Sequence, residues 1–201
     1  MNEGIKSLKI DTVLPNQGKQ NIIKSISLNE LQLMFSTDNA YNPPATSNDT
    51  TAAFTIPFAF PLDVVAVEKN ITVGLNGDSF AQLICPKEAT TTDVDTRIIH
   101  MTLTDIPFAV FDDKHSVFQQ FLTSTTFSAS QAFSLAGNVN TDAQTAVGLL
   151  SLTNIEFDVD TSIAGLQGLD TKQTTVANLD VNHGYSDFLL IKVTTELFNP
   201  R

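Results

Sequence analysis

Alternation of apolar and polar residues at every second position restricts the fold of this chain more than any other sequence feature. It is clearest in IHMTLT at 99–104, in FDVDTSI at 157–163 and in LLIKVTTEL at 189–197. Because successive side chains of a β-strand point to opposite faces, each segment has one face for a core and one for water. Thr, Phe, Val and Ile are also abundant, and these residues suit a pleated, half-buried surface. The sequence therefore predicts a mainly β fold, an antiparallel β-sandwich.

One segment departs from this alternation and predicts one short helix, over residues 112–123. Asp112 and Asp113 precede it and would cap its first turn. Its apolar residues then recur at spacings of one, three and four: Val117, Phe118, Phe121 and Leu122. This spacing places them on one face of a helix.

Turn residues divide the remaining chain into strands. Asn76-Gly77 lies between two alternating segments and predicts a tight hairpin. The polar stretches 36–52 and 88–96 are interpreted as solvent loops. Residues 54–60 alternate, but the prolines at 57 and 61 remove donors from a ladder, so this strand is expected at an edge, bulged or short.

The C-terminal segment predicts a buried strand. Its apolar face would carry Leu189, Ile191, Val193, Thr195 and Leu197. Four large apolar side chains on one side favour packing against a sheet, so we expect this strand to be part of the core.

Length and charge narrow the class of protein further. The 201 residues allow one or two domains, and we expect a single β-sandwich domain over 1–201, with 1–21 as an N-terminal strand or extension. Eleven basic against 22 acidic residues give a net charge of −11, the wrong sign for binding phosphates or anionic head groups. We therefore expect no nucleic-acid partner. No segment approaches the ~18 apolar residues of a membrane span, so none is expected in this chain.

Residue types that carry chemistry are sparse. The three histidines and the single cysteine are widely spaced, at His100, His115, His183 and Cys85. Asp158 and Asp160 share one face of a strand and are interpreted as solvated, and no acidic pair has the spacing of a calcium loop. The sequence thus predicts no metal site, no cofactor and no catalytic residue, although an enzyme using a carboxylate pair of the glycosidase kind stays open.

The phenylalanines are the strongest positive signal for a binding site. The chain has 14 Phe and no Trp. Five of them are the candidate ligand-binding residues: Phe54, Phe58, Phe60, Phe118 and Phe121. They would either fill the core of a sandwich or line an elongated groove between its sheets that accepts an acyl chain or another apolar ligand.

Two sequons provide candidate glycosylation sites. Asn48-Asp49-Thr50 is placed in a polar loop and Asn70-Ile71-Thr72 in a strand. Either would accept an N-glycan if the protein entered the secretory route.

Five short segments together resemble a known family. They are TIPFAFPLDV at 55–64, NITVGLNG at 70–77, FQQFL at 118–122, AQTAVG at 143–148 and ELFNP at 196–200. In this order they resemble an uncharacterised fungal family of large, mostly membrane-anchored proteins with repeated domains similar to late-embryogenesis-abundant type 2 domains. The resemblance covers about 22–200. It implies an immunoglobulin-like or fibronectin-like β-sandwich, a setting in the vacuolar lumen, the endomembrane system or outside the cell, and no catalytic residue.

Two functions of different classes follow from these observations. The first is a non-enzymatic sandwich module that binds a lipid or another apolar ligand. The second is a structural protein that assembles as a homo-oligomer through its edge strands, because an unpaired edge is a template for strand addition.

Overall fold

Two five-stranded antiparallel sheets form the body of the protein. The computed structural model describes residues 21–56, 61–170, 172 and 175–196. The strands of sheet A are β1 (Ile23–Asn29), β2 (Gln32–Leu33), β3 (Pro44–Phe54), β6 (Thr91–Asp93) and β7 (Ile98–Pro107). They pair in the order β1-β3-β7-β6, and β2 also pairs with β3. The strands of sheet B are β4 (Asp63–Leu75), β5 (Asp78–Ala89), β8 (Ala109–Val110), β9 (Ser130–Thr145) and β10 (Gly148–Ala164). They pair in the order β10-β9-β4-β5-β8. The predicted mainly β, sandwich-type architecture is confirmed.

The core lies where the apolar faces of the two sheets meet. Ile99, Met101 and Leu103 are buried on β7, whereas the alternate residues His100 and Thr102 are exposed. On β10, Phe157, Val159 and Ile163 are buried in the same way, and Asp158 and Asp160 face solvent. Alternation at every second residue therefore assigned the inward faces of these strands correctly.

The Asn76-Gly77 hairpin is confirmed. It joins β4 to β5, and both residues have positive φ, 52° for Asn76 and 87° for Gly77. Two consecutive residues in this region match the twist of paired strands, and Asn and Gly adopt it at the lowest cost.

The two polar stretches form loops only in part. Residues 36–43 and 94–96 lie outside strands, as expected, whereas 44–52, 88–89 and 91–93 belong to strands. Residues 44–54 form β3, which lies between β1 and β7. This strand can be polar and still central because its buried hydroxyls find partners: Ser47 Oγ donates to the carbonyl of Asn29 at 2.6 Å, and Thr50 Oγ1 donates to Ser47 Oγ at 3.1 Å. Phe54 is the last residue of this central strand, and residues 55–56 belong to no strand, so the strand predicted for 54–60 does not begin at Phe54. Residues 57–60 lie outside the described residues.

The Thr-rich stretch 88–96 is likewise ordered by hydroxyl contacts. Strand β5 continues to Ala89, and β6 follows at 91–93. Thr90 Oγ1 and Thr92 Oγ1 donate to the carbonyl of Val64 at 2.9 and 2.8 Å. These bonds connect residues 90–92 to the start of β4.

The helix is present but begins and ends later than predicted. Asp112–Lys114 form a 3₁₀ turn, and the α-helix α1 spans His115–Phe127. Neither N-terminus has a side-chain cap, so the capping role predicted for Asp112 and Asp113 is wrong. The helix is instead held by packing, because Phe118 and Phe121 are buried beneath it. Among the described residues, no helix has the length and apolar character needed to cross a membrane.

The C-terminal strand differs most from expectation. Strand β12 (Leu189–Glu196) pairs with β11 (Thr175–Gly184) in a separate two-stranded sheet. Its side chains are exposed along its whole length, including Leu189, Ile191, Val193 and Thr195. Alternation correctly placed these residues on one face, but the prediction that this face is buried in the core is wrong. Leu197 lies outside the described residues.

Phe118 should contribute more to stability than any exposed aromatic residue of the same helix. Phe118 is 1% exposed and Phe127 is 71% exposed. We expect Phe118→Ala to lower the free energy of unfolding by about 3–5 kcal/mol through lost burial and a cavity. The control Phe127→Ala should change it by less than about 1 kcal/mol. Urea unfolding measures both, and equal losses would contradict the described packing of α1.

The C-terminal hairpin should be dispensable for folding of the sandwich. A chain ending at Asp170 keeps both five-stranded sheets and loses only β11, β12 and the segments around them. At low protein concentration we expect its thermal midpoint to lie within a few degrees of that of the full chain, because the core is unchanged. Loss of cooperative unfolding in circular dichroism would instead mean that the hairpin packs into the core.

Candidate functional site

A cleft opens between the second half of α1 and the turn that joins β1 to β2. Its volume is about 710 Å³. One wall is formed by Phe121, Leu122, Thr125 and Thr126 of the helix. The opposite side is lined by Glu30, Leu31, Gln32, Leu33, Phe35, Ile163 and Leu166. Seven of these eleven residues are apolar, but polar and apolar atoms contribute about equally to the surface of the cleft.

The floor of the cleft belongs to an aromatic cluster that fixes the helix to sheet B. Phe121 is 2% exposed and its ring centroid lies 5.4 Å from that of Phe80 on β5. Phe133 of β9 meets Phe121 edge to face at 5.6 Å. Phe118 stacks on Phe108 at 5.7 Å, deeper in the same cluster. Contacts of this geometry add to the energy of burial, so the floor is rigid.

The segment that follows β10 closes the side of the cleft near the helix C-terminus. The backbone N–H of Leu166 donates to the carbonyl of Thr125 at 2.8 Å, and that of Gly165 donates to Ala129 at 2.9 Å. A Cβ atom at position 165 would overlap the carbonyl of Ser128, so only glycine allows this approach. These bonds hold Leu166 at the cleft wall.

Thr125 carries the one buried polar atom of the lining that lacks a partner within the described residues. Its hydroxyl Oγ1 is fully enclosed and has no hydrogen bond there. By contrast, the hydroxyl of Thr126 donates to the carbonyl of Leu122 at 2.8 Å. An unsatisfied buried hydroxyl costs free energy, and its enclosure keeps this atom out of reach of a ligand in the cleft.

The structure separates the five candidate phenylalanines. Phe121 lines the cleft, and Phe118 packs in the aromatic cluster below it. Phe54 borders a second, smaller pocket of about 270 Å³ together with Ile56, Leu62 and Arg97. Phe58 and Phe60 lie outside the described residues. No groove lined by Phe54, Phe118 and Phe121 together is present in the described part of the chain.

The loop that forms the mouth of the cleft was not predicted from the sequence to be part of a binding site. Leu31, Leu33 and Phe35 come from the β1–β2 region and the residues after it. Phe35 is half exposed although its ring lies 6.2 Å from that of Phe118. The exposed pair Met34-Phe35 before a polar loop was the available signal, because adjacent apolar residues outside an alternating strand are unusual at a surface.

Tyr41 holds this loop against the start of the helix. Its ring stacks on His115 at a centroid distance of 3.6 Å, and its hydroxyl accepts a hydrogen bond from Gln119 Nε2 at 3.0 Å. The carbonyl of Tyr41 also accepts from the N–H of Val110 at 3.0 Å. His115 therefore helps to hold this loop against the helix through its contact with Tyr41.

A buried lysine in the core was not anticipated. Lys69 on β4 is 3% exposed, and its Nζ has no hydrogen-bond partner among the described residues. It lies opposite Cys85 on β5 and Val139 on β9. Burial raises the pKa of the Cys85 thiol, and the positive charge of Lys69 offsets part of the rise. The thiol is thus protonated at neutral pH, as expected of a structural cysteine.

The carboxylate of Asp93 stabilises a local turn. Asp93 accepts hydrogen bonds from the N–H groups of Asp95 and Thr96 at 3.1 and 3.2 Å, and the Thr96 bond lowers its pKa. This is the geometry of an Asx turn. Across residues 21–56, 61–170, 172 and 175–196, no three His, Cys, Asp or Glu side chains are grouped as a metal site.

Both sequons lie on strands. Asn48 is exposed on β3, where a loop was expected, and Thr50 of its sequon is buried. Asn70 is on β4 as expected, and its Oδ1 accepts a hydrogen bond from Gln82 Nε2 at 2.8 Å. The first asparagine is therefore the freer of the two.

Comparison with known proteins identifies one family. The model of a family described as a protein of unknown function, DUF3712, matches residues 78–200. A comparison with curated proteins finds no significant match. The matched segment starts at β5, yet β4 lies between β5 and β9 in sheet B, so the sheet combines strands from inside and outside the match.

Proposed function

Because the chain belongs to the DUF3712 family of proteins of unknown function, we propose its role from its geometry: a non-enzymatic β-sandwich module that binds an apolar or lipid-like ligand. The observation that carries the proposal is the cleft beside α1. Its volume of about 710 Å³ falls within the range of small-molecule sites. Its lining of Leu, Ile and Phe side chains suits an acyl chain or another apolar body.

The polar groups of the cleft favour a neutral ligand. Glu30 is the one charged residue among the described residues of the lining, and the whole chain carries a net charge of −11. Both disfavour an anionic head group. A neutral lipid satisfies this condition.

The composition of the lining supports binding over catalysis. Apart from Glu30, its polar side chains are Gln32, Thr125 and Thr126, and the described lining contains neither His nor Cys. General acid–base or nucleophilic chemistry needs a second group within hydrogen-bond reach of the first. A binding module needs only the shape and the apolar surface.

The resemblance to fungal domains of the late-embryogenesis-abundant type 2 class supports a lumenal, endomembrane or extracellular setting. In that setting a lipid-binding module would meet its ligand at or near a membrane. The exposed side chain of Asn48 is compatible with an N-glycan at that position.

Filling the cleft should weaken ligand binding. Thr126 faces the cleft, whereas Thr123 on the same helix is exposed to solvent. We expect Thr126→Phe to weaken binding of the neutral apolar dye Nile red at least about tenfold, because the added ring occupies the cleft. Thr123→Phe is the matched control and should bind as the wild type does, as measured by fluorescence titration.

Native mass spectrometry of the full chain purified from its source completes this test. A co-purifying neutral lipid that is lost in Thr126→Phe supports the proposal. Equal dye binding by both variants, or an empty protein that binds no dye, would refute it.

Secretion should place a glycan on Asn48. In a eukaryotic secretory host we expect a glycopeptide containing Asn48, and Asn48→Gln should remove it. Asn70 should be modified to a lower extent, because its side chain is paired with Gln82. Glycopeptide mass spectrometry measures the glycan occupancy of Asn48 and of Asn70. A protein that carries no glycan at either asparagine would contradict the proposed setting.

A further inference from the structure

The C-terminal hairpin β11–β12 has one mainly apolar face that is open to solvent. Cross-strand pairing places Leu179 opposite Val193 and Val181 opposite Ile191. The face consists of Val176, Leu179, Val181, Leu189, Ile191 and Val193, together with Thr195. The six apolar side chains are between 46% and 60% exposed. We call this set the hairpin face.

The opposite side of the hairpin is polar. It carries the cross-strand pairs Thr175–Glu196, Asn178–Thr194 and Asp180–Lys192. Leu190, opposite His183, is the one large apolar side chain on that side. The hairpin is therefore amphipathic, which is the pattern of a sheet that packs on one face only.

Two irregularities in the register of β11 create this separation. They lie between Val176 and Asn178 and between Val181 and His183. Without the irregularity between Val176 and Asn178, the side chain of Val176 would point to the opposite side from that of Leu179. Without the irregularity between Val181 and His183, the side chain of His183 would lie on the hairpin face. A bulge shifts every following side chain to the other face, so the two bulges collect the apolar residues on one side.

An isolated hairpin with an exposed apolar face is marginal in water. From this we propose that the hairpin face is the contact surface for a second copy of this chain, which packs its own hairpin face against it in an isologous dimer. The result would be a small four-stranded sandwich with the two sheets about 10 Å apart.

The area of the hairpin face fits this occupant. The exposed fractions of the six residues correspond to at most roughly 500–600 Å², so full burial in two copies would remove about 1,000–1,200 Å² in total, the size of a weak or transient interface. The half-exposed rings of Tyr185 and Phe188, stacked at 4.3 Å in the turn, would extend the contact at its edge.

The described surface of the sandwich offers no equivalent partner for this face. Its exposed large apolar residues occur in small groups: Met34 and Phe35 at the cleft mouth, Phe127 at the helix end, Ile84 on β5, and Val147, Leu149 and Leu150 near the β9–β10 turn. None presents six side chains on one plane. A second hairpin face has the matching size and chemistry.

Charge places a condition on the dimer. Two copies with a net charge of −11 each repel one another, and the hairpin face itself carries no charge. Raising the salt concentration should therefore strengthen association, because salt screens the repulsion and leaves apolar contact intact.

Two neighbouring leucine-sized residues on opposite sides of β12 provide the test. Ile191→Lys places a charge on the hairpin face, and Leu190→Lys places the same charge on the polar side. By sedimentation equilibrium of the full chain from about 1 to about 100 µM, we expect wild type and Leu190→Lys to dimerise with the same affinity. Ile191→Lys should dimerise at least about tenfold more weakly.

Thermal unfolding of both variants checks that the sandwich stays folded, and hydrogen exchange supplies an independent readout. Protection of residues 175–196 should rise with protein concentration in the wild type. A monomeric wild type, equal weakening by both variants, or protection independent of concentration would each overturn the proposal. No ligand is used, so the outcome is separate from that of the cleft experiment.

Discussion

The packing of α1 on a cluster of phenylalanines at and next to sheet B is the interaction on which the rest of the architecture depends. Phe118 and Phe121 reach from the helix to Phe80, Phe108 and Phe133, and all five rings are buried. The helix lacks side-chain caps, so this packing replaces the stabilisation that its ends do not provide. With the helix fixed there, its second half stands beside the β1–β2 turn, and the cleft is the space between them.

The cleft and the hairpin are joined by one short segment. Gly165 and Leu166 are hydrogen-bonded to the end of the helix, and Leu166 lines the cleft before the chain continues toward β11. The binding region and the association surface proposed for this DUF3712 protein are therefore neighbours along the sequence. Each is nevertheless built from its own side chains, and neither shares a residue with the other.

The elements that could be predicted were those in which one physical effect dominates. Alternation identified the buried faces of β7 and β10, and the Asn76-Gly77 pair identified a turn that needs positive φ at two positions. Strand β3 could not be recognised, because its stability comes from hydroxyl hydrogen bonds of Ser47 and Thr50 that depend on tertiary neighbours. Burial of β12 was overpredicted, because alternation gives the apolar face of a strand but not what covers it. The burial of Lys69 could have been predicted, because this residue alternates with the intervening residues in the same way as Val67, Ile71 and Val73, which face the core.

The polar character of β3 has a consequence for the chain before it is folded. A central strand is normally the segment most prone to pair with other molecules when it is transiently exposed, because it combines large apolar side chains with high β-propensity. The sequence PATSNDTTAAF contains one large apolar residue, at its end, and begins with proline. Such a segment is a poor nucleus for intermolecular β-structure, so the middle of sheet A is protected from aggregation by its own composition during synthesis.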